Sequence, residues 1–223
     1  MRYVGERHIV IDDRPAPTPL WAPDRSLAGA AVVLIGGGPS LADLDLAALS
    51  GHRFIAINSG CRKVRPIVTP ADPLYFSDNS WNENRPELAR DWPGPVITCN
   101  RHAKARLGDV VRYINVLALT ESMQVMADRV QASSGHIAAC LAAEMGAVRI
   151  ILVGFECRLV AGRSHGHADY SHQDATDYEE RFLPGWRALG PAFADRGVEV
   201  INATPGSAIQ EFPFTPLREA LSA

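Results

Sequence analysis

The stretch AVVLIGGGPSL, residues 31–41, decides the fold class of this 223-residue chain. Residues 31–35 form a short, continuous run of apolar side chains. Such a run is typical of a central parallel strand that is buried on both faces. Glycines and a proline break the run, and apolar residues then recur at helical spacing from Leu41 to Leu49. A buried strand, a glycine-rich turn and a helix in succession predict the first unit of an α/β fold.

The same alternation of apolar runs and helical patterns continues along the chain. Short apolar runs predict further strands at residues 54–57, 74–76, 96–98, 110–116, 149–153 and 198–201. One helix is expected from Ser133-Ser134-Gly135 to Gly146, and another from 174 to about 193, where Pro184 should kink it. The pattern predicts a doubly wound, mostly parallel, Rossmann-like sheet in one domain, residues 29–223. Residues 1–28, which carry four prolines, are expected to form an extended arm.

Composition restricts the classes of partner. Hydrophobic residues make up 47% and charged residues 21% of the chain, as in ordinary globular proteins. The net charge of −3 and the lack of a long basic run argue against duplex nucleic acid as a partner. No segment reaches the roughly 18 apolar residues of a membrane span, and no signal peptide is evident. Four widely spaced cysteines disfavour a disulfide framework. We expect a cytoplasmic protein, and homo-oligomerisation stays open.

The glycine loop, Gly36-Gly37-Gly38, has the composition of a phosphate-binding turn. Glycine lets backbone N–H groups approach a ligand closely, and the helix that begins at Pro39 and Ser40 favours an anion at its N-terminus. The alternative is a tight turn without a ligand. The loop lacks the lysine of a P-loop, and the strand at 54–57 is followed by Asn58, not by the acidic residue of an NAD site. Asn58 either bonds a sugar or base, or caps its turn.

A second candidate is the serine helix start, Ser133-Ser134-Gly135. Hydroxyl groups and a glycine at a helix N-terminus suit an anion or a sugar, although an N-cap alone explains them too. Ligands of parallel sheets bind outside the carboxyl ends of the strands. Two such helix starts at one edge of the sheet therefore predict a nucleotide site.

The histidine segment, SHGHADYSH at residues 164–172, is the densest cluster of titratable groups. It follows the strand that ends at Gly154, so it should lie over the same edge. Its candidates for a general base are His165, His167 and His172, because histidine titrates near neutral pH. One alternative is a solvated loop. Another is a metal site of His165, His167 and Asp169, although HxHxD on a loop is a weakly specific pattern.

The order of these motifs resembles that of the 6-hydroxymethylpterin diphosphokinase MptE-like family. It also resembles a group of bacterial sialyltransferases that share a GxGPSL loop, an SSG or TSG helix start and a Gly-x-Asp strand end. Similar stand-alone proteins are found among phage products. The resemblance covers roughly residues 30–205 and implies that both loops bind a nucleotide, ATP in the diphosphokinases and CMP in the sialyltransferases. Residues that match the motifs are Gly36, Gly38, Pro39, Ser40, Asn58, Ser133, Ser134 and Gly135. Glu156 stands where aspartate is usual, and in the sialyltransferases a downstream histidine acts as the base.

Three functions follow as expectations. The first is a transferase that passes a phosphoryl or pyrophosphoryl group from ATP to a small acceptor, with Mg²⁺ on Asp78 and Glu156. The second is a glycosyltransferase with a CMP-sugar donor, a loop histidine as base and Glu156 on a sugar hydroxyl. The third is a non-catalytic nucleotide-binding module of phage origin. Neither loop contains lysine or arginine, which argues against the first, and Cys157-Arg158-Leu159 lacks the tyrosines expected for the second.

Overall fold

The computed structural model describes residues 20–126, 133–169 and 174–222. One sheet of seven parallel strands lies at the centre of these residues. The strands are β1 (Ala31–Ile35), β2 (Arg53–Ile57), β3 (Leu74–Phe76), β4 (Val96–Thr98), β5 (Val111–Tyr113), β6 (Arg149–Val153) and β7 (Glu199–Asn202). The predicted α/β fold with a parallel sheet is confirmed. Strand β5 is shorter than predicted because Asn115 caps the next helix.

The strand order, β5-β4-β3-β2-β1-β6-β7, places β1 in the interior of the sheet. The chain proceeds from β1 to β5 on one side and then returns to β6 on the other side of β1. This reversal lies between β1 and β6, and ligands of open parallel sheets bind outside the carboxyl ends of the strands at such a point. The glycine loop after β1 and Gly154 after β6 both border it.

Helices cover both faces of the sheet. The α-helices are α1 (Leu46–Leu49), α2 (Gly60–Val64), α3 (Asn79–Asn84), α4 (Pro86–Arg90), α5 (Arg101–Leu107), α6 (Val116–Ser122), α7 (Ser134–Glu144), α8 (Ala175–Asp177), α9 (Leu183–Asp195) and α10 (Leu217–Ser222). Alternate residues of β1 enter different apolar layers: Val32 and Leu34 pack on the side of α7 and α9, whereas Val33 and Ile35 pack on the opposite side. Burial of both faces explains why the strands read as continuous apolar runs.

One predicted helix differs from expectation, and another is interrupted where the sequence predicts it. The helix expected from Leu41 to Leu49 is a 3-10 helix, Pro39–Asp43, followed by α1. The helical pattern is interrupted at Asp45 because the Asp45 side chain accepts hydrogen bonds from the N–H groups of Ala47 and Ala48 and so caps a new helix, α1. The helix around Pro184 is interrupted, as predicted: a π-helical turn, Tyr178–Phe182, precedes it.

Residues 27–29, just before β1, lie at the opposite end of the sheet from the glycine loop. Leu27 and Gly29 donate backbone hydrogen bonds to Met145 and Gly146, which follow α7. Trp21 donates to Tyr113 on the edge strand β5. Most of the predicted arm, residues 1–19, lies outside the described residues. Within the part of the chain that the structure describes, no helix has the length and apolar character needed to cross a membrane.

Candidate functional site

The glycine loop packs backbone against backbone at the reversal between β1 and β6. The N–H of Gly36 donates to the carbonyl of Val153 at 2.8 Å, and the N–H of Gly38 donates to that of Gly154 at 3.0 Å. A Cβ atom at Gly36 would lie 2.4 Å from the Gly154 carbonyl oxygen. The sequence predicts that a ligand approaches the glycine loop closely. At Gly36 the Gly154 carbonyl, which follows β6, makes that close approach instead.

Glu156 lies at the start of the 3-10 helix that follows the glycine loop. Its buried side chain accepts a hydrogen bond from the N–H of Ser40 at 2.5 Å. A Cβ atom at Gly38 would lie 1.5 Å from Glu156 Oε2. A protein carboxylate thus occupies a position where the sequence predicts a phosphate. Oε2 of Glu156 and Oγ of Ser40 are buried, and no described residue hydrogen-bonds either atom.

The serine helix start gathers polar side chains from two strand ends. Ser133 caps α7, since its Oγ accepts from the N–H of Gly135 at 3.0 Å. Ser134 instead points its hydroxyl across the edge of the sheet. Its Oγ lies 2.6 Å from Oγ of Ser77, which follows β3, and accepts from Nδ2 of Asn58, which follows β2, at 3.3 Å. Oδ1 of Asn58 is buried and has no hydrogen-bond partner among the described residues.

The remaining residues around this start have packing or capping roles. A Cβ at Gly135 would lie 2.6 Å from Cε1 of Phe155, so this glycine admits the aromatic ring that follows β6. Asn100, after β4, caps α5 and donates from Nδ2 to the carbonyl of Ser77 at 3.1 Å. Sequence reasoning missed Ser77. Its position directly after a predicted strand of a parallel sheet was the available signal.

Two of the three predicted histidines lie over the glycine loop. The rings of His165 and His167 stack with centroids 5.0 Å apart and an interplanar angle of 10°. A Cβ at Gly37 would lie 3.1 Å from Nε2 of His167 and 3.8 Å from Nδ1 of His165. The N–H of Gly166 donates to the carbonyl of Gly37 at 2.9 Å. His172 lies outside the described residues.

The environment of His167 favours its neutral form. Burial of the ring lowers the pKa of His167, the Asp169 carboxylate opposes this shift, and Arg62 adds to it. The backbone N–H of Asp169 donates to Nδ1 of His167 at 3.3 Å. Because Nδ1 accepts this bond, the neutral ring carries its proton on Nε2, the nitrogen that faces Gly37.

Asp169 holds a cluster that joins the histidine segment to the helices after β2 and β3. Its carboxylate accepts from Ser59 Oγ at 2.5 Å, from Arg62 Nε at 3.0 Å and from Arg85 Nε at 3.2 Å. Burial raises the pKa of Asp169, but the hydrogen bonds from Ser59 and Arg62 outweigh burial, so this pKa lies below its ordinary value. Arg62 and Arg85 are thus both paired with a carboxylate.

The predicted magnesium ligands, Asp78 and Glu156, both accept hydrogen bonds from protein groups. Oδ1 of Asp78 accepts from the N–H and Oγ of Ser80 at 3.1 and 2.8 Å, which caps α3. Glu156 is bonded to Ser40. Over residues 20–126, 133–169 and 174–222, no group of three or more His, Cys, Asp or Glu side chains is arranged to hold a metal ion. Mg²⁺ on Asp78 and Glu156 stays a prediction, because each carboxylate accepts a hydrogen bond from the protein while Oε2 of Glu156 has no partner among the described residues.

Comparison with known proteins supports the sialyltransferase resemblance at the level of the fold. No protein-family profile matches the chain, and no curated protein matches its sequence. The crystal structure of the sialyltransferase CST-II, in complex with a trisaccharide acceptor and CMP, aligns with a TM-score of 0.56. The alignment covers 83% of this chain and 86% of that chain at 12% sequence identity. The likeness shows a shared fold. The resemblance to the MptE-like diphosphokinases has no counterpart in these comparisons.

Proposed function

We propose that this chain is a metal-independent glycosyltransferase that binds a nucleotide-linked sugar at the carboxyl edge of its sheet. One observation carries the proposal: Asn58, Ser77 and Ser134 converge at the carboxyl edge of the sheet, where a histidine pair also lies on the glycine loop. The fold likeness to a sialyltransferase that was crystallised with CMP supports it. The sequence alone favours ATP and phosphoryl transfer, and the proposed donor is a nucleotide-linked sugar instead.

The chemistry of the convergent groups suits a nucleoside and a sugar. Hydroxyl and amide groups both donate and accept, as do ribose, base and sugar hydroxyls. A bound triphosphate instead needs concentrated positive charge, usually lysine, arginine or Mg²⁺. Neither loop contains lysine or arginine, and Arg62 and Arg85 are paired with Asp169. A sugar linked through a single phosphate places much less charge in the site than ATP does.

The transfer step assigns different roles to the two histidines. The acceptor hydroxyl oxygen forms a bond to the anomeric carbon of the donor sugar while the bond from that carbon to the phosphate oxygen breaks. The nucleotide leaves as a monophosphate, and the proton of the hydroxyl passes to a base. Nδ1 of His167 is occupied by the N–H of Asp169. We therefore assign the base to His165 and a hydrogen bond to the leaving phosphate to Nε2–H of His167.

A binding and turnover experiment tests this proposal. Thermal unfolding is followed with CMP, CMP-sialic acid and ATP, each with Mg²⁺ or with EDTA. A ligand at 100 times its Kd adds about 2.7 kcal/mol to the free energy of unfolding, which is a shift of several degrees. We expect CMP and CMP-sialic acid to stabilise the protein in EDTA. CMP release from CMP-sialic acid in the presence of an oligosaccharide acceptor should then continue in EDTA.

Variants connect this activity to the histidines. His165→Ala should lower kcat for CMP release by about 10²-fold to 10⁴-fold, the usual contribution of a general base. His102→Ala, at an exposed histidine of α5, is the matched control and should leave the rate unchanged. Stabilisation by ATP only with Mg²⁺ would refute the proposal in favour of the diphosphokinase alternative. Binding of CMP without turnover of any donor would favour the non-catalytic module.

A further inference from the structure

The described part of the histidine segment, residues 164–169, contacts the rest of the protein at its start, middle and end. At the start, the Tyr178 hydroxyl donates to the carbonyl of Ser164 at 3.1 Å. In the middle, the N–H of Gly166 donates to Gly37. At the end, the Asp169 carboxylate enters the cluster with Ser59, Arg62 and Arg85. The rings of the histidine pair lie between the first and last of these contacts.

We propose that Asp169 is a positioning residue, which holds the histidine pair against the glycine loop and sets the tautomer of His167. Its side chain is only 8% exposed, whereas the paired arginines are 44% and 39% exposed. Asp169 is therefore buried while both arginines are partly exposed, so we expect its carboxylate to be the least mobile of these three charged groups. Its own backbone N–H is the group that donates to Nδ1 of His167.

The partners of Asp169 are themselves fixed by the core. Ser59 Oγ accepts from Nε1 of the fully buried Trp81 at 2.8 Å, which leaves the Ser59 hydroxyl proton for Asp169. Arg62 lies on α2 and Arg85 lies between α3 and α4. The carboxylate thus ties one loop to two separate helical regions. Loss of it removes these contacts and leaves two guanidinium groups without their shared anion.

The position of the ring can be measured without any substrate. Long-range ¹H–¹⁵N correlation spectra of histidine-labelled protein distinguish a protonated from an unprotonated ring nitrogen. In the wild-type chain we expect the His167 ring to be neutral at pH 7 with its proton on Nε2. In Asp169→Ala we expect a mixture of tautomers, because the ring is no longer held against the glycine loop and becomes solvated.

Two further variants keep this test decisive. Asp109→Ala is the matched control, because Asp109 pairs with Lys104 and its side chain is fully exposed. Arg85→Gln removes one partner of Asp169 and should shift the ring signals in the same direction by a smaller amount. It decides the question if Asp169→Ala does not fold. Unchanged His167 signals in Asp169→Ala, or in Arg85→Gln when that variant alone folds, would overturn the proposal.

The catalytic consequence of this role rests on the proposed function, whereas the ring position does not. If CMP-sialic acid is turned over, Asp169→Ala should lower kcat by roughly 10-fold to 100-fold, as expected for misplaced catalytic groups. KM for the donor should change less than kcat, because the described hydrogen bonds of the Asp169 carboxylate are to Ser59, Arg62 and Arg85 and not to Asn58, Ser77 or Ser134. A shifted ring in a protein without turnover would leave this role intact and refute the proposed function alone.

Discussion

The glycine loop and the serine helix start have similar sequence signatures but different structures. Both open a helix with small residues. The glycine loop follows β1 directly, whereas α6 and residues 123–132 separate the serine helix start from β5. The N–H groups of Gly36, Gly38 and Ser40 are all bonded to protein oxygens, and only a 3-10 helix follows them. Ser133-Ser134-Gly135 opens an eleven-residue α-helix, α7, and sends one hydroxyl toward the ends of two strands.

This difference separates two uses of small residues. In the glycine loop, the missing side chains let β1 and β6 approach each other closely and make room for a histidine pair and for the Glu156 carboxylate. At the serine helix start, one serine satisfies the helix and the other is available to a ligand. We infer that the glycine loop shapes the site, whereas Ser134 and its neighbours bind the nucleotide.

The largest expected effect comes from adding a methyl group to the glycine loop. Gly36→Ala should lower the free energy of unfolding by more than about 3 kcal/mol, because the new Cβ meets the Gly154 carbonyl in a buried sheet. Gly37→Ala should cost no more than about 1 kcal/mol, since its neighbours are the ends of two histidine side chains. Urea denaturation measures both.

A glycine outside the loop provides the control. A Cβ at Gly190, within α9, meets no atom closer than 3.9 Å. Gly190→Ala should therefore be neutral or should stabilise the protein by up to about 1 kcal/mol through helix propensity. Equal losses for Gly36→Ala and Gly37→Ala would contradict the close packing of β1 on β6.

The second prediction separates the two serines. Ser134→Ala should raise the Kd for CMP at least tenfold, which corresponds to about 1.4 kcal/mol, because it removes the hydroxyl that faces Asn58 and Ser77. Ser133→Ala should instead lower the free energy of unfolding by about 1 kcal/mol through loss of the N-cap. Isothermal titration calorimetry and urea denaturation measure the two effects. Weaker CMP binding in Ser133→Ala, with a loss of stability in Ser134→Ala, would mean that the ligand binds at the N-cap residue Ser133.

The third prediction concerns the carboxylate in the glycine loop. Glu156→Gln weakens a charge-assisted hydrogen bond to Ser40, so it should lower the free energy of unfolding by about 1 kcal/mol. It should not create binding of ATP, because the N–H groups of Gly36 and Gly38 stay bonded to Val153 and Gly154. Thermal unfolding with ATP and Mg²⁺ checks this. Stabilisation of this variant by ATP would mean that the loop is a phosphate site and that the Glu156 carboxylate excludes phosphate from it in the wild-type chain.

The sequence predicted those features that depend on neighbouring residues. Apolar runs located every strand of the described sheet, and the serine helix start was found from residue types alone. Contacts between distant segments were not predictable. Glu156 reaches Ser40 across 116 positions, and Asp169 reaches Arg62 across 107. Such pairs depend on the order of the strands, which places β6 beside β1. A single sequence contains no local signal for that order.

The smallest expected effect is a difference in how stability depends on pH. It distinguishes the histidine segment, which lies over the glycine loop, from the serine helix start. The pKa of Asp169 is lowered in the folded state, so its contribution to stability is complete above the unfolded value of about 3.9 and is lost as pH falls through the folded value. The difference in free energy of unfolding between the protein with Asp169 and the Asp169→Asn variant should therefore narrow below about pH 4. Both proteins should carry His167→Gln, which removes the titration of the adjacent ring. Ser134→Ala is the control, because a hydroxyl does not titrate in this range. Its stability difference should stay constant from pH 7 to pH 3, and a constant difference for Asp169→Asn as well would mean that this carboxylate contributes nothing through its charge.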